Sequence, residues 1–226
     1  MKNKKKCILF FVKYPEQGNV KTRLSSIIGE DITVELYRNF ILDMLDILDK
    51  IEANVCICFH PGNHKEKFLH WLGPDYFYKP QKGKDLGERM KNAFKSGFEE
   101  GYEKIIILGS DTPDLPKEII EEAFRALDAN AAVIGPSVDG GYYLIGFGKD
   151  TFLPEIFQGI EWSTDSVFSE TINILKKVSS TVHILPCWQD IDTITDLKSF
   201  FKKNQNSEFS KSKTIIYIKK KIKENI

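Results

Sequence analysis

Short apolar runs, several of them closed by small residues and carboxylates, alternate along this chain with segments of helical period. The runs Cys7–Lys13, Asn54–His60, Lys104–Leu108, Ala131–Pro136, Tyr142–Phe147 and Thr181–Leu185 read as strands. Asp31–Ile51, His64–Leu72, Leu86–Gly101, Lys117–Asp128, Asp165–Val178 and Ile194–Lys202 read as helices. Such alternation predicts an α/β fold: a three-layer sandwich with a mostly parallel central sheet and helices on both faces. In an open sheet of this kind ligands bind at the carboxyl ends of the strands, so the loops that leave those ends are where function is sought.

Two runs lead into acids and glycines. Ile105-Ile106-Ile107-Leu108 is continued by Gly109-Ser110-Asp111-Thr112-Pro113-Asp114-Leu115-Pro116, and Ala131-Ala132-Val133-Ile134 by Gly135-Pro136-Ser137-Val138-Asp139-Gly140-Gly141-Tyr142. A carboxylate beside glycines suits a divalent cation carrying a phosphorylated ligand, because hard cations take oxygen ligands and glycine admits a diphosphate close to the backbone. Asp111 is the metal candidate of the first loop, with Gly109 and Ser110 lining the nucleotide. Asp114 is either a second ligand or the cap of the helix after Pro116, and the cap fits better. Asp139-Gly140 is also a hairpin signal. Its functional reading makes Asp139, Gly140, Gly141 and Tyr142 the wall of an acceptor site, with Asp139 available to bind or deprotonate the acceptor.

A third loop, Lys13-Tyr14-Pro15-Glu16-Gln17-Gly18-Asn19-Val20-Lys21-Thr22-Arg23-Leu24, comes after the first strand. Lys13, Lys21 and Arg23 on a short loop bearing Gly18 can gather around a di- or triphosphate. It is not a P-loop, since Pro15 and Val20 stand where that pattern needs glycine. A fourth segment, Asp190-Ile191-Asp192-Thr193, points two carboxylates the same way on an extended chain, which suits joint cation binding. Thr193 can cap the next helix by itself and leave both aspartates free. Glu161-Trp162-Ser163-Thr164 would start a helix and offers Trp162, Ser163 and Thr164 to a substrate, or simply packs. Gln81–Met90 feeds a helix N-terminus that can receive a base or phosphate. His60 and His64 are separated by Pro61-Gly62, which argues against a zinc site.

Bulk properties exclude other classes. The chain has 226 residues, with 32 basic and 32 acidic side chains, so nothing marks it for nucleic acid. A small-molecule partner is the expectation. No run is long enough to cross a bilayer, and the basic start before Cys7 imitates a signal peptide without the expected apolar length or cleavage site. Cys7, Cys56, Cys58 and Cys187 show no metal spacing, which fits packed, reduced thiols in a cytoplasmic protein. The domain is expected to span 1–203, with 204–226 a lysine-rich peripheral tail or, as the alternative, a partner- or membrane-contacting segment, whose Thr214–Ile218 run could add an edge strand to a partner.

Taken in order, the blocks K-x-P-x-x-G-x-V-K-T-R-L, D-L-G-x-R-M, G-S-D-x-P-x-L, G-P-x-x-D-G-G-Y-Y-L-I-G, W-S-T and D-x-D-T resemble the glycosyltransferase-A-like family of arsenosugar-biosynthesis-type glycosyltransferases, or selenodomain-associated transferases. The match runs from Lys13 to about Leu197. More distantly the chain is similar to molybdenum-cofactor and phospholactate guanylyltransferases. The resemblance implies a nucleotide-diphospho-sugar-transferase-like fold and a divalent metal, Mg2+ or Mn2+. It places Asp111 on the metal and Lys13, Lys21 and Arg23 around the phosphates; the guanylyltransferase analogy adds Asp192 as second metal acid. One departure is that Asp111 stands alone before Thr112-Pro113, without the usual D-x-D. The leading expectation is glycosyl transfer from a nucleotide-sugar to a small acceptor, with Asp139 as base and Lys21 and Arg23 steadying the leaving group. The alternative is nucleotidyl transfer from a nucleoside triphosphate with release of pyrophosphate, and the third is a non-catalytic nucleotide-binding domain.

Overall fold

A computed structural model describes residues 5–178 and 181–222. Positions 1–4, part of the basic start, and 223–226, the end of the lysine-rich stretch, lie outside the described residues. Strand β1 (Lys6–Lys13) runs into helices α1 (Thr22–Ile28) and α2 (Glu30–Leu48). Then come β2 (Asn54–His60), α3 (Lys65–Leu72), β3 (Phe77–Pro80) and α4 (Leu86–Glu99). β4 (Lys104–Leu108) and α5 (Lys117–Ala126) precede β5 (Ala132–Pro136) and β6 (Tyr142–Gly148). The chain closes with α6 (Val167–Lys177), β7 (Val182–Ile184), α7 (Ile194–Asn204) and α8 (Lys213–Lys221).

The strands form one sheet in the order β3-β2-β1-β4-β6-β5-β7. Among the described residues β6 alone runs antiparallel to its neighbours β4 and β5. Strand period explains the two cores. Along β1, Ile8, Phe10 and Val12 face the layer of α1, α2, α5, α7 and α8. Cys7, Leu9 and Phe11 face α4 and α6, where Met90, Phe94, Ile172 and Leu175 meet them. A strand buried on both sides reads as an unbroken apolar run, which is why β1 and β4 were legible.

Caps fix two of the helices that start near the carboxyl edge of the sheet. Asp85 accepts the Glu88 amide at the start of α4. Thr193 and Asp196 form a reciprocal capping box on α7, Asp196 taking the Thr193 amide at 2.8 Å. The box leaves Asp190 and Asp192 free of that duty, as the sequence implies.

The lysine-rich stretch departs from expectation. Thr214–Ile218 is helical, not an edge strand, because Ile215, Ile218 and Ile222 share one helix face and all three are fully buried. α8 packs on α2, whose buried Asp43 accepts the backbone amides of Lys213 and Thr214 at 2.9 and 2.8 Å. Asn204, placed at the expected domain boundary, is itself buried. Cys7, Cys56 and Cys58 are buried free thiols and Cys187 is an exposed one. Among the described residues no helix is long and apolar enough to cross a membrane.

Candidate active site

The parallel strands end at one edge, so the loops after β1, β4, β5 and β7 converge there. They enclose a cleft of about 570 Å3 lined by Arg23, Gly109, Asp111, Asp139, Gly141, Tyr142, Asp190 and Asp192, with Trp162, Ser163 and Thr164 across from them. Its centre is an ion-paired trio. Lys21 Nζ lies 2.5 Å from Asp111 Oδ1 and 2.6 Å from Asp192 Oδ1. The lysine side chain is only 5% exposed, whereas the two carboxylates are 45% and 40% exposed. Burial works against the ammonium, but the two acids override it and hold its pKa above the ordinary lysine value.

The backbone is bent to make this contact. Lys21 occupies the N-cap of α1 in the left-handed region, at φ 47° and ψ 47°. A non-glycine residue there is held in place by its surroundings at a cost of about 1–2 kcal/mol. The conformation turns Lys21 inward while Arg23, the second residue of α1, remains exposed at the cleft wall.

A second grouping adjoins the first. One carboxylate oxygen from each of Asp139, Asp190 and Asp192 lies within 4.8 Å of the others. Burial, with the charges of Asp139 and Asp192 adding to it, pushes the Asp190 carboxyl up to about 7. Asp192 thus belongs to both sets. These hard oxygen donors fit a divalent cation, and the Lys21 ammonium already marks a point where Asp111 and Asp192 jointly face positive charge.

Several expected residues sit elsewhere than the sequence suggests. Lys21, expected on an open loop, is enclosed between Asp111 and Asp192. Lys13 and Gly18 are exposed and stand outside the cleft lining. Lys13 contributes through its backbone, whose amide donates to Tyr37 Oη at 3.2 Å. Asp114 neither caps α5, whose N-cap is Pro116 without a side-chain bond, nor enters the cleft. Its carboxylate instead accepts from Trp188 Nε1 at 2.9 Å and Asn204 Nδ2 at 2.8 Å.

Asp139 spends one oxygen inside its own loop, accepting from Ser137 Oγ and from the Gly141 amide. The hairpin forms as read, between β5 and β6. Gly140, at φ 89°, abuts the Asp165 backbone so closely that a Cβ there would collide with it. Glu161–Thr164 makes turns, and α6 begins only at Val167. Trp162 packs against Gly87 of α4, where a side chain would strike its ring, so it is both packed and part of the cleft wall.

No sequence motif marks Tyr37, a buried phenol of α2 hydrogen-bonded to Ser110 Oγ at 2.7 Å. Burial, with Asp111 adding, pushes its pKa up to about 12. Asp165 of the cleft wall and Trp188 also escaped notice. Only Trp188 carried any signal, an indole N–H in a segment next to acids.

The mostly parallel sheet has the nucleotide-diphospho-sugar-transferase-like fold, and the relatives show the protein to be an enzyme of the transferase class. A crystal structure from Desulfovibrio desulfuricans G20, described as a candidate nucleotide-diphospho-sugar transferase, is 44% identical with a TM-score of 0.94, covering 96% of this chain and 95% of that one. The chain belongs to the family described as uncharacterized protein conserved in bacteria (DUF2064), whose family model matches residues 43–164. It is also 25% identical over 199 residues to a 2-phospho-L-lactate guanylyltransferase of Methanocaldococcus vulcanius, covering 86% of each. A cytidylyltransferase from Leptospira borgpetersenii shares the fold, with a TM-score of 0.56 at 18% identity over 99% of this chain and 95% of that one.

Proposed function

We propose that the protein is a divalent-cation-dependent nucleotidyltransferase that joins the nucleotidyl group of a nucleoside triphosphate, first of all GTP, to a phosphorylated small-molecule acceptor. The observation that carries this is the meeting of Asp111 and Asp192, from two separate loops, on one buried ammonium beside Arg23. An acceptor phosphate oxygen forms a bond to the α-phosphorus, the bond from that phosphorus to its bridging oxygen breaks, and pyrophosphate leaves.

Each role comes from position. Asp111 and Asp192 would hold the cation, Mg2+ or Mn2+, which would supply positive charge to neutralise the triphosphate. Lys21, held at the centre of the cleft by both acids, would keep its positive charge there to offset negative charge developing on the phosphoryl groups. Arg23 binds the departing phosphates through forked hydrogen bonds. Gly109 leaves room for the nucleotide, and Ser110, pinned by Tyr37, holds the turn that aims Asp111. Asp139, Gly141, Tyr142 and the Trp162–Thr164 wall line the space that would receive the acceptor, while Gly140, expected there too, stands outside the lining and supplies the tight turn. A phosphate acceptor is already ionised at neutral pH, so it needs no base.

The relatives named as guanylyltransferases support this reading, as does the single acid at the end of β4. Glycosyl transfer from a nucleotide-sugar, of the arsenosugar type or otherwise, is the second reading, favoured by the 44% identical structure. The deciding experiment incubates the enzyme and Mg2+ with nucleoside triphosphates and a panel of phosphorylated hydroxy acids, and separately with nucleotide-sugars. Pyrophosphate release dependent on the acceptor supports nucleotidyl transfer. Release of nucleoside diphosphate from a nucleotide-sugar, with no pyrophosphate from any triphosphate, overturns it.

A further inference from the structure

Three loops bring acids to the cleft, and Trp188, whose side chain lies outside it, is joined to all three. Its backbone amide donates to Pro136 O at 3.0 Å and its carbonyl accepts from the Val138 amide at 3.2 Å, which ties it to the hairpin that carries Asp139. Its indole Nε1 donates at 2.9 Å to Asp114, three residues past Asp111. Asp190 and Asp192 come two and four residues later in its own segment.

Asp114 completes the clamp. Its side chain is 5% exposed, so a lone carboxylate there would be costly without donors. Beyond the indole it has Lys203 Nζ at 3.0 Å and Asn204 Nδ2 at 2.8 Å, both from the end of α7, and the Lys203 ammonium stands 3.9 Å over the Trp188 ring. Asp192 immediately precedes Thr193, the N-cap of α7. The helix that follows Asp192 is therefore fastened at its end to the loop that carries Asp111. Between the clamp and the acids lies one backbone joint, Ile191 N to Asp111 O at 3.0 Å.

We infer that Asp114 and Trp188 are positioning residues that set the spacing of Asp111, Asp139 and Asp192, and through it the cleft's affinity for a divalent cation. The cation part of this rests on the proposed nucleotidyltransferase function; the spacing part does not. Outer partners of metal-holding groups commonly matter about 10- to 100-fold for affinity.

The test uses the full chain with Trp188→Phe, which keeps the packing and removes the N–H, and with Asp114→Asn. Two quantities are read without substrate: the Kd of Mn2+ alone, by calorimetry, and the exchange rate of the Ile191 amide, by NMR. Trp188→Phe is expected to weaken Mn2+ about tenfold and to speed Ile191 exchange by about the same factor. Thermal melting should drop by only a few degrees. A variant that melts lower yet keeps both quantities within twofold of wild type reduces the pair to ordinary packing and overturns the inference. If wild type itself binds no Mn2+, the functional reading falls, and Ile191 exchange alone then decides the spacing claim: faster upholds it, unchanged overturns it. Should Asp114→Asn fail to fold, Trp188→Phe carries the test.

Discussion

Replacing Lys21 with methionine removes the charge at the centre of the cleft while keeping a side chain of similar length and the same left-handed backbone cost. Its stability effect can be worked from the geometry. A unit ion pair near 4 Å is worth about 4 kcal/mol at an effective dielectric of 20 and about 1 kcal/mol in bulk water. Asp111 and Asp192 are 45% and 40% exposed, so each pair belongs near the lower value, about 1 kcal/mol. The two acids left facing each other add a repulsion of similar size, which gives a loss of about 2–3 kcal/mol. For a chain of this size that is a fall in Tm of roughly 5–10 °C. The Lys21 pKa is raised, so its stabilisation is complete below the unfolded lysine value of about 10.4 and fades only as pH climbs past the folded one. The gap to wild type should therefore hold steady between about pH 7 and 9. Thermal melts in EDTA read the gap, and melts in Mg2+ should narrow it, because the cation then replaces the missing ammonium. A Tm within about 2 °C of wild type, or a gap that closes between pH 7 and 9, would refute the bridging role.

Arg23→Ala should weaken triphosphate binding about tenfold, the loss of one charge-assisted contact, with no change in melting; calorimetric titration of a nucleotide checks it. Asp190 is an acid raised to about 7, chiefly by burial and then by Asp139 and Asp192. Its favourable contribution is present below about pH 3.9 and is lost as pH rises through about 7. Asp190→Asn should therefore become the more stable protein between about pH 6 and 8, by about 1 kcal/mol after discounting for solvent, which paired thermal melts would show. Asp139→Asn keeps the oxygen that Ser137 and Gly141 bond, and a phosphate acceptor needs no base, so turnover should stay within about tenfold; a fall of about a thousandfold in steady-state rate would restore the base assignment and favour a hydroxyl acceptor.

The fold was largely readable because β1, β4 and β5 are apolar without interruption and because Asp85 and Thr193 announce their helices. β3 was not: Phe77–Pro80 is a short edge strand, half exposed and closed by proline, with no periodicity to mark it. α8 was readable in hindsight from Ile215, Ile218 and Ile222, but a run of lysines around a β-branched core obscured the helical spacing. At the site, Asp111, Asp139 and Asp192 were visible because each comes after a strand among small or turn-forming residues. What the sequence could not carry was distance. That Lys21 lies between two acids rather than facing solvent depends on a left-handed residue and on loops 90 and 171 residues further along the chain. Asp114 looked like a cap because its true partners, Trp188 and Asn204, are remote in the chain. Tyr37 looked like any aromatic on a helix face, and only the end of β4 arriving beside it gives its hydroxyl a task.

The central claim is that Asp111 and Asp192 together make one cation-dependent nucleotidyl-transfer site. The most direct measurement is acceptor-dependent pyrophosphate release with GTP and Mg2+ in wild type, Asp111→Asn and Asp192→Asn, each checked for unchanged melting. Wild type should turn over with Mg2+ and stop in EDTA, and both variants should lose about a hundredfold or more. Full activity in either variant, or wild-type turnover indifferent to EDTA, would contradict it.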